Sequence, residues 1–116
     1  MPTISVILPM YNGAAYVDSA IRSILDQTFV DFELIIIDDC STDASSEIAK
    51  RYTAADSRVF YYRNDKNLKL PLSLNRGFSL AKGQYLTWTS CDNNYLPQAF
   101  QTMFDALEKE SDLGLV

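Results

Sequence analysis

"FELIIIDDCSTD", residues 32–43, sets an apolar run, Leu34 to Ile37, directly against two adjacent carboxylates, Asp38 and Asp39, with no basic residue beside them. A continuous apolar run of this kind marks a strand covered on both faces, as the strands of a parallel sheet are. The two acids therefore stand where a buried strand ends. There they either satisfy free amide groups at the start of a following helix or accept hydrogen bonds from a ligand.

Upstream, "TISVILP" (3–9) predicts a short strand that stops at Pro9, and "YNG" (11–13) supplies turn chemistry. Between these and Phe32, the residues Val17, Ala20, Ile21, Ile24 and Leu25 fall on one stripe of a 3.6-residue period, which predicts a helix over 14–28. Downstream, Ser41 or Asp43 suits the cap of a helix within 41–56 that turns Ile48, Ala49 and Tyr52 inward. "RVFYYR" (58–63) predicts a third strand, "PLSLNRGFSLAKG" (71–83) a helix opened by Pro71 and closed by Gly83, and "QYLTWTS" (84–90) a fourth strand. A last helix over 97–110 and a strand stub at 113–116 complete the order.

Strands alternating with helices predict an α/β fold, a three-layer α/β/α sandwich on a mainly parallel, Rossmann-like sheet. In such folds ligands bind outside the carboxyl ends of the strands. The polar clusters "YNG", "DDCSTD" and "TSCDNN" (89–94) follow the first, second and fourth strands, so all three fall on that one edge.

Composition narrows the partners. With 116 residues the chain makes at most one domain, and its 10 basic against 15 acidic residues, net charge −5, argue against a nucleic-acid binder. No apolar run reaches the roughly 18 residues of a spanning helix, and the first residues lack a signal peptide's basic region, so no transmembrane segment is expected and the default location is cytoplasmic. The chain has no histidine and two cysteines, Cys40 and Cys91, which excludes zinc sites and histidine-based triads within it. Neither G-x-x-x-x-G-K-[ST] nor G-x-G-x-x-G occurs, so a bound diphosphate would need a metal ion. Asp92, with Asn93 and Asn94 on a strand-end loop, offers oxygen donors suited to Mg²⁺ or Mn²⁺, against the plainer alternative of a polar turn before Pro97.

Taken together, "ISVILPMYNGAAYVDSAIRSILDQTFVDFELIIIDDCSTD" (4–43) and "LPLSLNRGFSLAKGQYLTWTSCDNNYLP" (70–97) resemble the family 2 inverting glycosyltransferases of GT-A fold. The joint order of P-x-Y-N, D-D-x-S-T-D and S-x-D-N is more specific than any one motif. The resemblance implies a nucleotide pocket lined by Pro9, Tyr11 and Asn12, with Asp39 accepting a hydrogen bond from the uracil imide. It also implies that Asp92 is the metal-coordinating aspartate and touches the nucleotide through that ion. Asp38 is taken as a structural carboxylate bonded to nearby amides, and packing under the loop remains the alternative for Tyr11.

Three departures from the family pattern stand out. Ser90 and Cys91 occupy positions where relatives often carry acids, the one at Cys91 expected to help hold the ribose, and Lys69 stands where relatives often have glycine. Lys69 either reaches a phosphate or is a solvated surface lysine.

The family's general base and acceptor-binding surface come from sequence beyond this half, so no catalytic residue is assigned. Residues 1–116 are expected to be the nucleotide-diphospho-sugar-binding portion of a glycosyltransferase domain, truncated at its C-terminus and inactive alone. The parent enzyme would transfer sugar from a UDP-sugar to an acceptor hydroxyl, as in polysaccharide biosynthesis, peripheral to the inner membrane face through parts not in this chain. A non-catalytic nucleotide-sugar-binding module is the main alternative. A receiver-type signalling domain ranks last, because no lysine follows Lys109.

Overall fold

A computed structural model describes residues 2–109. Its elements run β1 (Ile4–Met10), α1 (Val17–Leu25), β2 (Phe32–Asp38), α2 (Ser45–Ala55), β3 (Val59–Arg63), α3 (Lys69–Leu80), β4 (Tyr85–Trp88) and α4 (Ala99–Lys109). The four strands form one sheet in the order β3-β2-β1-β4, and every pairing is parallel. The chain steps outward from β1 to β3, then crosses back through α3 to lay β4 on the other side of β1. The direction of strand order thus reverses at β1, where a crevice opens beyond the carboxyl ends.

Burial follows strand position. All seven residues of β2 are buried, as a strand flanked on both sides and covered on both faces requires, whereas the edge strands β3 and β4 are buried only in part. Ile4, Val6, Leu8 and Met10 of β1, with Leu34 and Ile36 of β2, pack against α1, α2 and α4. Ile7, Ile35 and Ile37 face the other way, toward Leu74 and Phe78 of α3. One helix therefore serves a whole face, and it sits close: a Cβ on Gly77 would lie 2.4 Å from Ile7 Cγ2.

The fold class and the order of elements match the expectation, with four local corrections. β1 runs through Pro9 to Met10 rather than stopping at Pro9. Along β1, Ile7 bonds toward β4 and Met10 toward β2, so the proline nitrogen faces the β4 side, where the pairing ends at Ile7 opposite Trp88, while the pairing with β2 continues to Met10. Helix α1 begins at Val17, because the Gly13 carbonyl accepts from the Tyr16 and Val17 amides and turns 13–16 into a tight entry. Helix α2 begins at Ser45, after both proposed caps; Asp43 still accepts the Ser45 amide at 2.9 Å, while Ser41 turns back to Asn12. Gly83 is not a helix cap: α3 ends at Leu80, and a Cβ on Gly83 would lie 2.7 Å from the Ser5 nitrogen. Buried Glu33 accepts the Ser5 hydroxyl (2.6 Å) and the Lys82 amide (2.7 Å), which pins this crossing.

Pro71 does fall in the first turn of α3. No described helix is long and apolar enough to cross a membrane. The stub predicted at 113–116 lies outside the described residues.

Candidate nucleotide-binding site

The three polar clusters meet at the carboxyl edge of the sheet. The loop after β1 is tied to the loop after β2: the Asn12 amide donates to Ser41 Oγ (3.0 Å), the Thr42 amide to Asn12 Oδ1 (2.7 Å), and the Ala14 amide to Asp43 Oδ2 (3.1 Å). Asn12 takes φ 49°, which asparagine tolerates in such turns. The loop after β1 also meets the loop after β4. A Cβ on Gly13 would lie 2.5 Å from Cys91 Sγ, so glycine is what lets the two loops interlock.

Asp38 and Asp39 point to separate tasks. Asp38 is fully buried; Oδ1 accepts the Ser41 amide at 2.9 Å, and Oδ2 accepts the Tyr61 hydroxyl and Arg63 Nη1, the latter at 3.1 Å. Burial and the hydrogen bond to Asp38 together push the Tyr61 phenol pKa up. The β2–β3 register sets Arg63 directly opposite Asp38, so the cation missing from the local sequence arrives from the next strand. This carboxylate holds the fold together, though through one neighbouring amide and two side chains of β3 rather than through amides alone.

Asp39 is also buried, yet it lines a pocket of about 110 Å³ with Pro9, Met10, Tyr11, Leu70 and Ser73. Its Oδ1 accepts the Leu68 amide (2.7 Å) and Asn64 Nδ2 (2.9 Å), and its Oδ2 accepts the Lys69 amide (3.0 Å). Burial alone would raise its pKa; the bonds from Leu68, Asn64 and Lys69, with the nearby Ser73 hydroxyl adding to them, outweigh it and hold the carboxyl below its ordinary value. The result is an ionised carboxylate whose Oδ2, with one donor, keeps capacity to accept another.

Each residue singled out from sequence has a definite place. Pro9 and Tyr11 join Asp39 around the pocket, and Tyr11, 51% exposed, stands at its lip rather than packing beneath the loop. Asn12 acts as a strut between loops through its Oδ1. Cys91 and Asp92 do not line that pocket. The Cys91 thiol is half-buried against the core, and burial, with Asp92 beside it, pushes its pKa up. Asp92 is exposed, and its Oδ1 accepts the Ser90 hydroxyl at 2.6 Å. Among the described residues no three acids, cysteines or histidines gather to hold a metal ion. A hard divalent ion on this loop would therefore have one carboxylate from Asp92, with substrate oxygens and water in its remaining positions.

Sequence reasoning missed the donors that hold Asp39. Asn64 and the Leu68 amide come from the segment between β3 and α3, and the Lys69 amide from the first residue of α3, all distant in the chain. One signal was present at Lys69. Its φ is 71°, in the left-handed region that favours glycine, the residue expected at this place from the family resemblance. The bend turns the Lys69 amide onto Asp39 Oδ2.

Comparison with known proteins identifies the family and the fold. Residues 5–116 match the family model described as "Glycosyl transferase family 2". The glycosyltransferase GlyG of Streptococcus pneumoniae serotype 4 is 33% identical over 111 residues, covering 95% of this chain and 37% of that protein. An uncharacterized glycosyltransferase of Haemophilus influenzae is 39% identical over 93 residues, 80% of this chain and 37% of its own length. The chain thus spans less than half the length of the curated relatives it matches. Among solved structures, S. aureus TarS 1–349 in complex with UDP superposes with a TM-score of 0.87 at 23% identity, covering 94% of this chain and 33% of that one. The mannosyltransferase PcManGT from Pyrobaculum calidifontis, in complex with GDP-Man and Mn²⁺, gives 0.83 at 21%, covering 97% and 33%. At these identities the structural likeness shows the shared fold.

Proposed function

Because this chain belongs to glycosyl transferase family 2, we propose that it is the donor-binding portion of an inverting glycosyltransferase that takes a UDP-sugar in the cytoplasm and passes the sugar to an acceptor hydroxyl. The observation that carries the reading is the Asp39 carboxylate, ionised and held by three donors, on a small pocket between Pro9 and Tyr11. A uracil imide is a single N–H donor that fits the remaining capacity of Oδ2. Tyr11 supplies an exposed aromatic wall for the base.

The remaining work of these residues is positional. The Asn12–Thr42 and Ala14–Asp43 bonds hold the first two loops together, and the Gly13–Cys91 contact seats the third loop against them. Asp92 would hold one position of a Mg²⁺ or Mn²⁺ ion, which when bound offsets charge on the leaving diphosphate. Binding of UDP and ion is then mutually dependent, since neither alone completes the coordination.

Calorimetric titration with UDP, with and without Mn²⁺, tests this. The expected result is UDP binding strengthened by Mn²⁺, with the coupling lost in Asp92→Asn. Asp39→Ala is expected to weaken UDP by about 1.5–3 kcal/mol, the range for hydrogen bonds to charged groups, and CDP by less, because cytosine lacks the imide proton. Equal losses for both nucleotides would remove the base-reading role. Tight Mn²⁺ binding without nucleotide would place the metal site elsewhere. A parent protein that binds donor without ever transferring sugar would instead be a nucleotide-sugar-binding module.

A further inference from the structure

We propose that Arg76 is a positioning residue for base recognition, acting on Asp39 through the buried side chain of Asn64. The inference rests on the reading of Asp39 given above and adds a determinant outside the pocket.

Asn64 is 1% exposed and lies between two cavities. On one side is the pocket that Asp39 lines; on the other is an open cavity of about 360 Å³ lined by Arg63, Asn64, Asp65, Lys66, Leu68 and Arg76. The Asn64 backbone is fixed by its own amide, which donates to the Asp38 carbonyl at 2.8 Å. Its side chain has two orientations that fill the same space, one presenting NH₂ to Asp39 and the other presenting oxygen. The second sets acceptor against carboxylate and strips Asp39 of a donor.

Arg76 adds to the preference that Asp39 itself exerts for the first. Its Nη1 donates to Asn64 Oδ1 at 2.6 Å and to the Arg63 carbonyl at 3.0 Å, and a guanidinium has donors only. Asn64 Oδ1 must face Arg76, so Nδ2 faces Asp39 Oδ1 (2.9 Å) and Ser73 Oγ (3.0 Å). Ser73 and Arg76 lie three residues apart on α3, so one helix face supplies both contacts. Arg76 also lies over the Tyr62 ring, 5.8 Å from its centroid, which steadies the guanidinium. The chain Arg76–Asn64–Asp39 is charge-assisted at both ends, yet Arg76 is not among the residues that line the pocket.

The test uses this chain with UDP and CDP as probes, together with an NMR titration of the Asp39 carboxyl carbon in the nucleotide-free protein. Arg76→Leu is expected to weaken UDP about tenfold and CDP about twofold or less, and to move the Asp39 titration to higher pH. Arg76→Met, which keeps the aliphatic stem, should do the same if Arg76→Leu folds poorly, and Arg76→Lys should recover part of the UDP preference. Equal losses for UDP and CDP, or an Asp39 titration that does not move, would overturn the relay and leave Arg76 a packing residue. If Asp39→Ala itself leaves the UDP:CDP ratio unchanged, the base reading fails and this inference falls with it. If Asp39→Ala abolishes the ratio while Arg76→Leu preserves it, the relay alone is wrong.

Discussion

The loop after β2 and the loop after β4 both place an aspartate at the carboxyl edge of the sheet, but the protein treats them in opposite ways. Asp38 and Asp39 are buried and take six donors: Ser41, Tyr61 and Arg63 on the first, Asn64, Leu68 and Lys69 on the second. Asp92 is exposed and takes one, the Ser90 hydroxyl. The difference follows from sheet position. β2 has neighbours on both sides, and the end of β3 delivers Tyr61, Arg63 and Asn64 to its carboxylates. β4 is an edge strand of the described sheet, paired only to β1, so no neighbouring strand brings donors to its loop. One acidic loop is organised before a ligand arrives; the other leaves a carboxylate uncommitted for an incoming charge.

The sharpest way to break this comparison is to delete the most buried acid. Asp38→Ala removes the partner of Tyr61, Arg63 and the Ser41 amide and is expected to destabilise the fold by about 3 kcal/mol, the lower end for a broken buried pair, since the Arg63 side chain is 42% exposed and can regain water. Urea unfolding measures it, and a loss under 1 kcal/mol would mean that the loop after β2 is no more built than the other. Next in size is Cys91→Asp, which presses a second carboxylate against Gly13 and beside Asp92. The expected cost is about 2 kcal/mol, or a melting temperature lower by on the order of 10 °C. Tighter UDP binding at an unchanged melting temperature would instead give Cys91 a place at the ribose.

Two smaller effects sharpen the contrast. Lys69→Gly relieves a left-handed residue, worth about 1–2 kcal/mol, but loosens the unfolded chain by about 0.5–1 kcal/mol. A net gain of about 0.5–1 kcal/mol in urea unfolding is expected, and a loss would show that the lysine side chain contributes something the backbone does not. Asp92→Asn should change stability by no more than about 0.5 kcal/mol, because the carboxylate has a single hydroxyl to lose. A larger loss in the same experiment would make Asp92 a structural residue and end the contrast between the loops.

The order of the elements, the parallel sheet and the edge on which all three polar loops fall were legible from the residues alone. Hydrophobic period and turn chemistry are local properties, and a continuous apolar run such as Leu34 to Ile37 already implies cover on both faces. Pro9 does not stop β1 because a proline breaks a ladder only on the side its nitrogen faces, here that of β4, and the register with β2 on the other side is set by the tertiary fold. Gly83 was misjudged as a cap because a close crossing with Ser5, far away in the chain, leaves no local mark.

The site divides the same way. The sequence by itself determined that Asp38, Asp39 and Asp92 stand at strand ends, and the family pattern singled out Asp39, the member of the first pair that lines the pocket. Only the tertiary structure decided what each carboxylate answers to: Arg63 opposite Asp38 by strand register, Asn64 and the bent 67–69 backbone around Asp39, and a single hydroxyl at Asp92. The physical reason is that the charge state and aim of an acid depend on the donors within about 3 Å, and here most of those donors come from segments 20 or more residues away in the chain.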